Sequence, residues 1–534
     1  MNKKINARTI SLVLIFILIL ITIALLIGKF TYSYLAPTID DDVEGVGEVT
    51  ASGDTIIFTK GNTLSLSANT DNFATGGSNL TATTNPKVKL MASSKAESAS
   101  SKYFAGVIIK NNTYTYTTTD KKPEVILTVK DENGNIVESS ADNLKFVTVN
   151  NNLKGFDITG VNGAFNIVTD HIIATSGNKS EVIHTWTFTL TFVNLGTDQS
   201  NNENSTLNID VVLQKDKIPT TIADVCSNND KLSDCVINSY EKLGLLYHHD
   251  SSLINGAGDN SYRYAGASEA VNNYVCFGSN VTPCPADNLY RIIGVFGDKV
   301  KLIKSDYATS ALLGADGDYS KMYTANGLNN SNYKGNNLAN VAAYTWNYKN
   351  NISINRGYGS NTWSTSLLNK TNLNKNFITN IGADWAAKIA DTTWKVGGNT
   401  NIANQPAKTA YQNEIVSPVT TNSTDNATTY SAKVGLMYAS DYGFAAAPSA
   451  WTANLSSYNG EAIKNVNWMY MGLLEWTISR TANLAYHVFT VTTSGYVDYY
   501  NANNAFGVRP VFYLSSSVNY ASGSGTAADP ISIN

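Results

Sequence analysis

Residues 185–192 read Thr-Trp-Thr-Phe-Thr-Leu-Thr-Phe, a hydroxyl alternating with a large apolar side chain without a break. In an extended strand successive side chains point to opposite faces, so this order puts every ring and Leu on one side and every hydroxyl on the other. It predicts a sheet with one buried and one wet face. Weaker signals of the same kind at 63–67, 87–91, 104–109, 124–130, 145–149 and 207–213 read as short strands between turns. Asn133-Gly134 supplies the positive φ of a tight turn after the strand at 125–129. Strands at this spacing predict a β-sandwich over 55–214.

A second constraint lies near the N-terminus. Residues 9–28 carry no charge and are almost entirely Ile, Leu, Val and Phe, with Lys3, Lys4 and Arg8 before them. As a helix rising about 1.5 Å per residue they span roughly 30 Å, the thickness of a bilayer's hydrocarbon core. They are expected to form one transmembrane anchor whose partner is the lipid bilayer. The basic residues place 1–8 in the cytoplasm as a short tail and the bulk of the chain outside the cell. The apolar run exceeds that of a cleaved signal peptide, and Ala36, flanked by Tyr34 and Pro37, is a poor cleavage site. Residues 29–54, with Pro37 and the cluster Asp40, Asp41, Asp42 and Glu44, show no period and read as a stalk.

With 534 residues, two or three domains are expected. Between 215 and 259, Ile222, Val225, Leu232, Val236, Tyr240, Leu243 and Leu246 recur at mostly helical spacing, which predicts a helical linker. Residues 260–534 form the larger domain and hold seven of the eight tryptophans. Here 289–296 and 299–304 read as a hairpin turning at Gly297-Asp298, and Phe377, Ile378, Ile381, Trp385 and Ile389 read as a helix weakened by Gly382. The polar stretch 399–429 reads as loops, and the last hundred residues as short strands. The fold class is therefore mainly β with some α.

Charged residues are only 15% of the chain and the net charge is -4, so no basic field exists for nucleic acid. Cys226, Cys235, Cys276 and Cys284 lie close in pairs on the exported side, which predicts the local disulfides 226–235 and 276–284 among three connectivities. Buried thiols are the bland alternative. Zinc fits poorly, since its sites favour gaps of about 2–4 residues between cysteines.

Several motifs carry a resemblance. Tyr274-Val275-Cys276-Phe277-Gly278, Cys284-Pro285, Leu289-Tyr290-Arg291-Ile292-Ile293-Gly294, Glu475-Trp476-Thr477-Ile478-Ser479-Arg480, Gly495-Tyr496-Val497 and Gly507-Val508-Arg509-Pro510-Val511-Phe512-Tyr513-Leu514 resemble a bacterial extracellular domain family of unknown function. The resemblance covers about half the chain, names a domain and confers no activity. The layout is also similar to the C-type-lectin-like fold shared by lectins and formylglycine-generating enzymes. No cysteine follows Cys284, so the oxidase chemistry of those enzymes does not carry over. The strands holding Trp186-Thr187-Phe188-Thr189-Leu190 and Ile209-Asp210-Val211-Val212-Leu213 resemble the sandwich of Gram-positive biofilm-fibre subunits, the TasA and camelysin group.

The chain offers little for catalysis. It has five histidines and no zinc-helix, phosphate-loop, dinucleotide or nucleophile-elbow motif. No catalytic residue, metal or cofactor is assigned, and His248-His249 reads as a solvated pair. Asp441 and Glu475 are the carboxylates to test as a glycosidase acid and base, although Glu475, beside Trp476, also suits a structural acceptor for Arg480 or Arg509. Asp316-Gly317-Asp318 reads as a turn before it reads as a calcium site.

The aromatic surplus is the best clue to function. Trp451, Tyr458, Trp468 and Tyr470 interleave with Asn454, Asn459, Asn465 and Asn467. Exposed rings stack on sugar C–H faces while amides both donate and accept hydrogen bonds. The competing reading is that these rings fill a core poor in Leu. The expectation is an outward-facing bacterial surface protein that binds a glycan or surface protein. Its rivals are a self-assembling matrix or fibre subunit and a glycoside-active enzyme. Protease added to intact cells is expected to digest the bulk of the chain and spare the N-terminal tail; recovery of a soluble form beginning near Pro37 would overturn the anchor.

Overall fold

Trp186, Phe188, Leu190 and Phe192 are all buried, while Thr185 is exposed and Thr187 and Thr189 are half-buried. The alternation thus holds as far as Leu190, Thr191 being buried, but across a corner. In the computed structural model, which describes residues 46–51, 54–68, 77–93, 98–150, 152–175, 180–327, 330–348, 357–418 and 427–534, the run divides at Trp186 into strands of two sheets. The expected tail, anchor and most of the stalk lie outside the described residues. Among the described residues no helix is long and apolar enough to cross a membrane. Strands hold 36% and helices 18%, so the chain is mainly β.

In chain order the first strands are β1 Val46–Ala51, β2 Asp54–Thr59, β3 Leu64–Ser67, β4 Leu80–Thr84, β5 Lys87–Met91, β6 Ser100–Lys110, β7 Val125–Lys130, β8 Phe146–Asn150, β9 Leu153–Asp157, β10 Gly163–Ala174, β11 Glu181–Thr185, β12 Thr187–Phe192 and β13 Thr206–Gln214. They form three antiparallel sheets, ordered β1-β2-β5-β11, β10-β6-β13-β3 and β4-β12-β7-β9-β8. The corner is made by two strand pairs that change sheet together. Asn85-Pro86 separates β4 from β5, Trp186 separates β11 from β12, and Trp186 N–H donates to the Pro86 carbonyl at 3.0 Å. Proline has no N–H to continue a ladder, so the break falls there. Tyr103, Val107, Leu127, Trp186 and Phe188 share one core, each large side chain stabilising it by roughly 1.5–3 kcal/mol. The expected stalk needs correction at its end, because Val46–Ala51 is a strand paired with Asp54–Thr59. A paired neighbour satisfies its backbone without any sequence period.

The expected break at 259/260 is also revised, since it falls between two strands of one sheet. After a short helix, Ile222–Val225, comes the helix Leu232–Leu243. It ends at Gly244, φ 65°, where a Cβ would meet the Ile109 carbonyl. Tyr247–His249 then pairs with Ser261–Arg263. These strands continue through Leu289–Phe296, Lys299–Lys304, Val511–Tyr513 and Val434–Gly435, and Tyr274–Cys276 also pairs with Leu289–Phe296. Ile222, Leu232 and Val236 pack into the core of this larger region, so the segment is part of it and not a free linker. Both expected disulfides are present, Cys226–Cys235 and Cys276–Cys284, with Cα atoms 5.6 and 5.9 Å apart.

Gly382, φ 87°, interrupts the helical stretch between Ile378–Asn380 and Ala383–Ala387. The polar stretch expected as loops contains the helical turns Ala407–Tyr411 and Gln412–Val416. Ala407, Ala410 and Glu414, three to four residues apart, supply a buried stripe that a composition-based reading passes over.

A second sheet joins Glu475–Arg480, His487–Val491 and Val497–Asn501. Every residue of Glu475–Arg480 is buried. Glu475 receives both arms of Arg509, Nε at 2.7 Å and Nη2 at 2.9 Å, while Nη2 also reaches the Met469 carbonyl at 2.7 Å. Trp476 Nε1 donates to the Tyr344 carbonyl, and Arg480 Nε to that of Val396, both at 2.8 Å. Arg509→Ala leaves the Glu475 carboxylate buried without its partner and should cost about 3–5 kcal/mol, seen as a lower Tm. An unchanged Tm would show that the pair contributes nothing.

Candidate ligand-binding site

The residues nominated as a sugar platform are interior. Trp451 is 0% exposed and Trp468 1%, and Tyr458, Asn467 and Tyr470 are buried with them. Their polar atoms are bound to main chain: Trp451 Nε1 donates to the Ala446 carbonyl and Trp468 Nε1 to that of Tyr264, both at 2.9 Å. Tyr458 donates to the Ala450 carbonyl at 3.1 Å, Tyr470 to that of Thr493 at 2.6 Å, and Asn467 Nδ2 to that of Tyr442 at 3.0 Å. The expected platform is corrected to core. Aromatic–Asn interleaving reads the same in both settings, because a buried indole or phenol also needs a nearby acceptor.

The two carboxylates nominated as acid and base are each held in an ion pair. Asp441 Oδ2 meets Lys301 Nζ at 2.6 Å and Oδ1 meets Arg263 Nη1 at 3.7 Å, while Glu475 is held by Arg509. Both are buried. Glu414, close to Asp441, is pushed up to about 7 by desolvation, although Ala439 N–H, Ser440 N–H and the Ser479 hydroxyl all donate to it. In Asp316-Gly317-Asp318 the second carboxylate accepts from Thr345, Tyr348 N–H and Leu368 N–H, and Gly317 turns at φ 63°. His248 stacks on Tyr262 with centroids 4.2 Å apart and pairs with Asp250 at 3.3 Å. His249 is buried, and desolvation holds it well below the usual imidazole range.

A different set of rings faces solvent. Tyr358 is 41% exposed and Tyr499 46%, and Tyr486 and His487, both half-buried, bridge them. Centroids are 5.2 Å apart for Tyr358–Tyr486, 4.6 Å for Tyr486–His487 and 4.7 Å for His487–Tyr499, the last nearly parallel at 27°. The hairpin sets this geometry. His487 pairs with Asn501 and Phe489 with Tyr499, so His487 and Tyr499 are diagonal neighbours on one face. Phe489 buries its ring edge-on to Tyr499, 6.2 Å away.

One buried amide, Asn361, and one half-buried, Asn503, hold the other rings. Asn361 donates from its side chain to the carbonyls of Thr481, Leu484 and His487 at 2.9–3.0 Å, and its N–H reaches the Ala485 carbonyl at 2.8 Å. Asn503 donates to the carbonyls of Gly357 and Tyr358 at 2.9 and 3.1 Å. Gly359, φ 84°, lets this segment lie against Asn347 and Asn503, where a Cβ would come within 2.7 Å. Half-buried Asn501 and Asn503 rim the rings. His487 stays below the ordinary imidazole range because of burial, and its Nδ1 is buried with no partner. Partly exposed rings beside amides suit a polyhydroxylated ligand.

Sequence reasoning passed over this site. One signal was present: Val497–Asn501 places Tyr499 at an outward position four residues before Asn503-Asn504. Comparison with protein-family models, curated proteins and solved structures finds no match to this chain. Because Trp451 and Trp468 are core, Trp451→Ala and Trp468→Ala should each cost about 3–5 kcal/mol and lower Tm sharply. Retention of the wild-type Tm would restore them as surface rings.

Proposed function

We propose that the chain is a membrane-anchored, outward-facing bacterial surface protein that binds a glycan or protein ligand through 260–534, acting by binding and not by turnover. The observation that carries this is the run Tyr358–Tyr486–His487–Tyr499, partly open to solvent and held by buried Asn361. Two disulfides suit an oxidising, extracellular setting. The ion-paired state of Asp441 and Glu475 weighs against a glycosidase. The finer fold reading goes with this function: a β-sandwich over 55–214, and a C-type-lectin-like domain in which the strand at 475–480 and the Gly-Val-Arg-Pro strand flank long loops. The resemblance to a bacterial extracellular domain family belongs to the same proposal.

A fibre subunit is the second reading. It is favoured by β11, a sheet edge among the described residues that carries the exposed Ile183. Filaments of the purified chain under the electron microscope would support it.

The test is a glycan array probed with the full chain. Tyr358→Ala and Tyr499→Ala should each weaken retention about tenfold, equivalent to about 1.4 kcal/mol, and leave Tm nearly unchanged. Retention that ignores both changes, or no retained glycan or surface protein at all, would falsify the site.

A further inference from the structure

We propose that Glu132, His171 and His184 form a binding site for a divalent transition-metal ion, zinc by its donor chemistry, at the meeting point of the three N-terminal sheets. Glu132 stands in the turn after β7, His171 near the end of β10 and His184 on β11, so each sheet contributes one side chain. Two of the chain's five histidines converge here. The ligand atoms lie within 4.8 Å of one another. His171 Nε2 is 3.0 Å from Glu132 Oε2, and His184 Nδ1 is 3.9 Å from the same oxygen.

Those separations lie around the spacing of a coordination shell. Ligands about 2.0–2.2 Å from a tetrahedral zinc ion sit about 3.3–3.6 Å apart. Small side-chain shifts bring the set to that spacing. Two imidazoles and a carboxylate are a donor set that zinc accepts, and three protein ligands leave a fourth position for water. The side chains retain 24%, 12% and 18% exposure for His171, His184 and Glu132, so the position opens to solvent.

The surroundings prepare the ligands. Trp186 Nε1 donates to the Tyr103 oxygen at 2.8 Å, and Tyr103 lies 2.9 Å from His184 Nδ1. Indole can only donate, so the phenol accepts from it, and its own proton is free to be donated to His184. In that arrangement Nδ1 is the unprotonated nitrogen, its lone pair taking the phenol proton. For a metal ion to take this lone pair, the Tyr103 hydroxyl rotates its proton away from Nδ1 and the ion occupies the Glu132 side. His171 moves its proton from Nε2 to Nδ1, so no net proton is lost.

This site is independent of the exposed tyrosines, and its test does not touch them. The EDTA-stripped full chain is titrated with Co2+, whose visible ligand-field absorption reports nitrogen and oxygen ligation, and then with Zn2+. One Co2+ should bind per chain with that absorption, Zn2+ should displace it, and His248→Ala should leave it intact. His171→Ala and His184→Ala should abolish it, and Glu132→Gln should weaken it. Zn2+ should also raise the Tm of the wild-type chain and not that of either His variant, which reads the site even where a variant melts early. Absence of the absorption from the wild-type chain, or its survival in both His variants, would overturn the proposal.

Discussion

The bidentate pair between Arg509 and Glu475 is the interaction on which the larger region depends. Both groups are 1% exposed, so each has given up its water, and the fork-to-carboxylate geometry, the extra bond to Met469 and the Tyr307 hydroxyl on Glu475 offset that cost. The pair ties the last long motif of the chain to the strand Glu475–Arg480, and a bridge between Glu475 and Gly507 runs beside it. That strand pairs with His487–Val491, whose hairpin carries the exposed rings. Through Met469 the same guanidinium draws in the segment holding Asn467, Trp468 and Tyr470. Arg291 completes the anchoring, lying over the Trp468 ring at 4.6 Å and donating to Asn273 at 2.6 Å.

Aromatic and Asn residues therefore serve two ends in one fold. Inside, rings fill volume and their single donors reach nearby carbonyls, while amides such as Asn361, Asn372 and Asn374 bridge loops to main chain. A buried amide left unpaired is costly, so these contacts define which loop conformations are allowed. At the hairpin the same residue types meet solvent. The difference lies in whether a second layer covers the sheet face, and at Tyr499 none does among the described residues. The N-terminal sheets show the same economy, where Tyr103 serves Trp186 and His184 at once.

Local alternation, turn chemistry and cysteine spacing were legible in the chain itself. The alternation from Trp186 to Leu190, the hairpin turning at Gly297, the break at Gly382 and the two disulfides all rest on forces acting between near neighbours. Tertiary structure decided the rest. It split the alternating run at Trp186, because the Pro86 carbonyl lies across the corner. It turned the expected linker into part of a sheet, because Tyr247–His249 finds an edge in Ser261–Arg263. It also reversed the site, burying Trp451 and Trp468 and exposing Tyr358 and Tyr499. A ring's exposure depends on which distant surface packs over it, and composition is the same whether that surface is present or not.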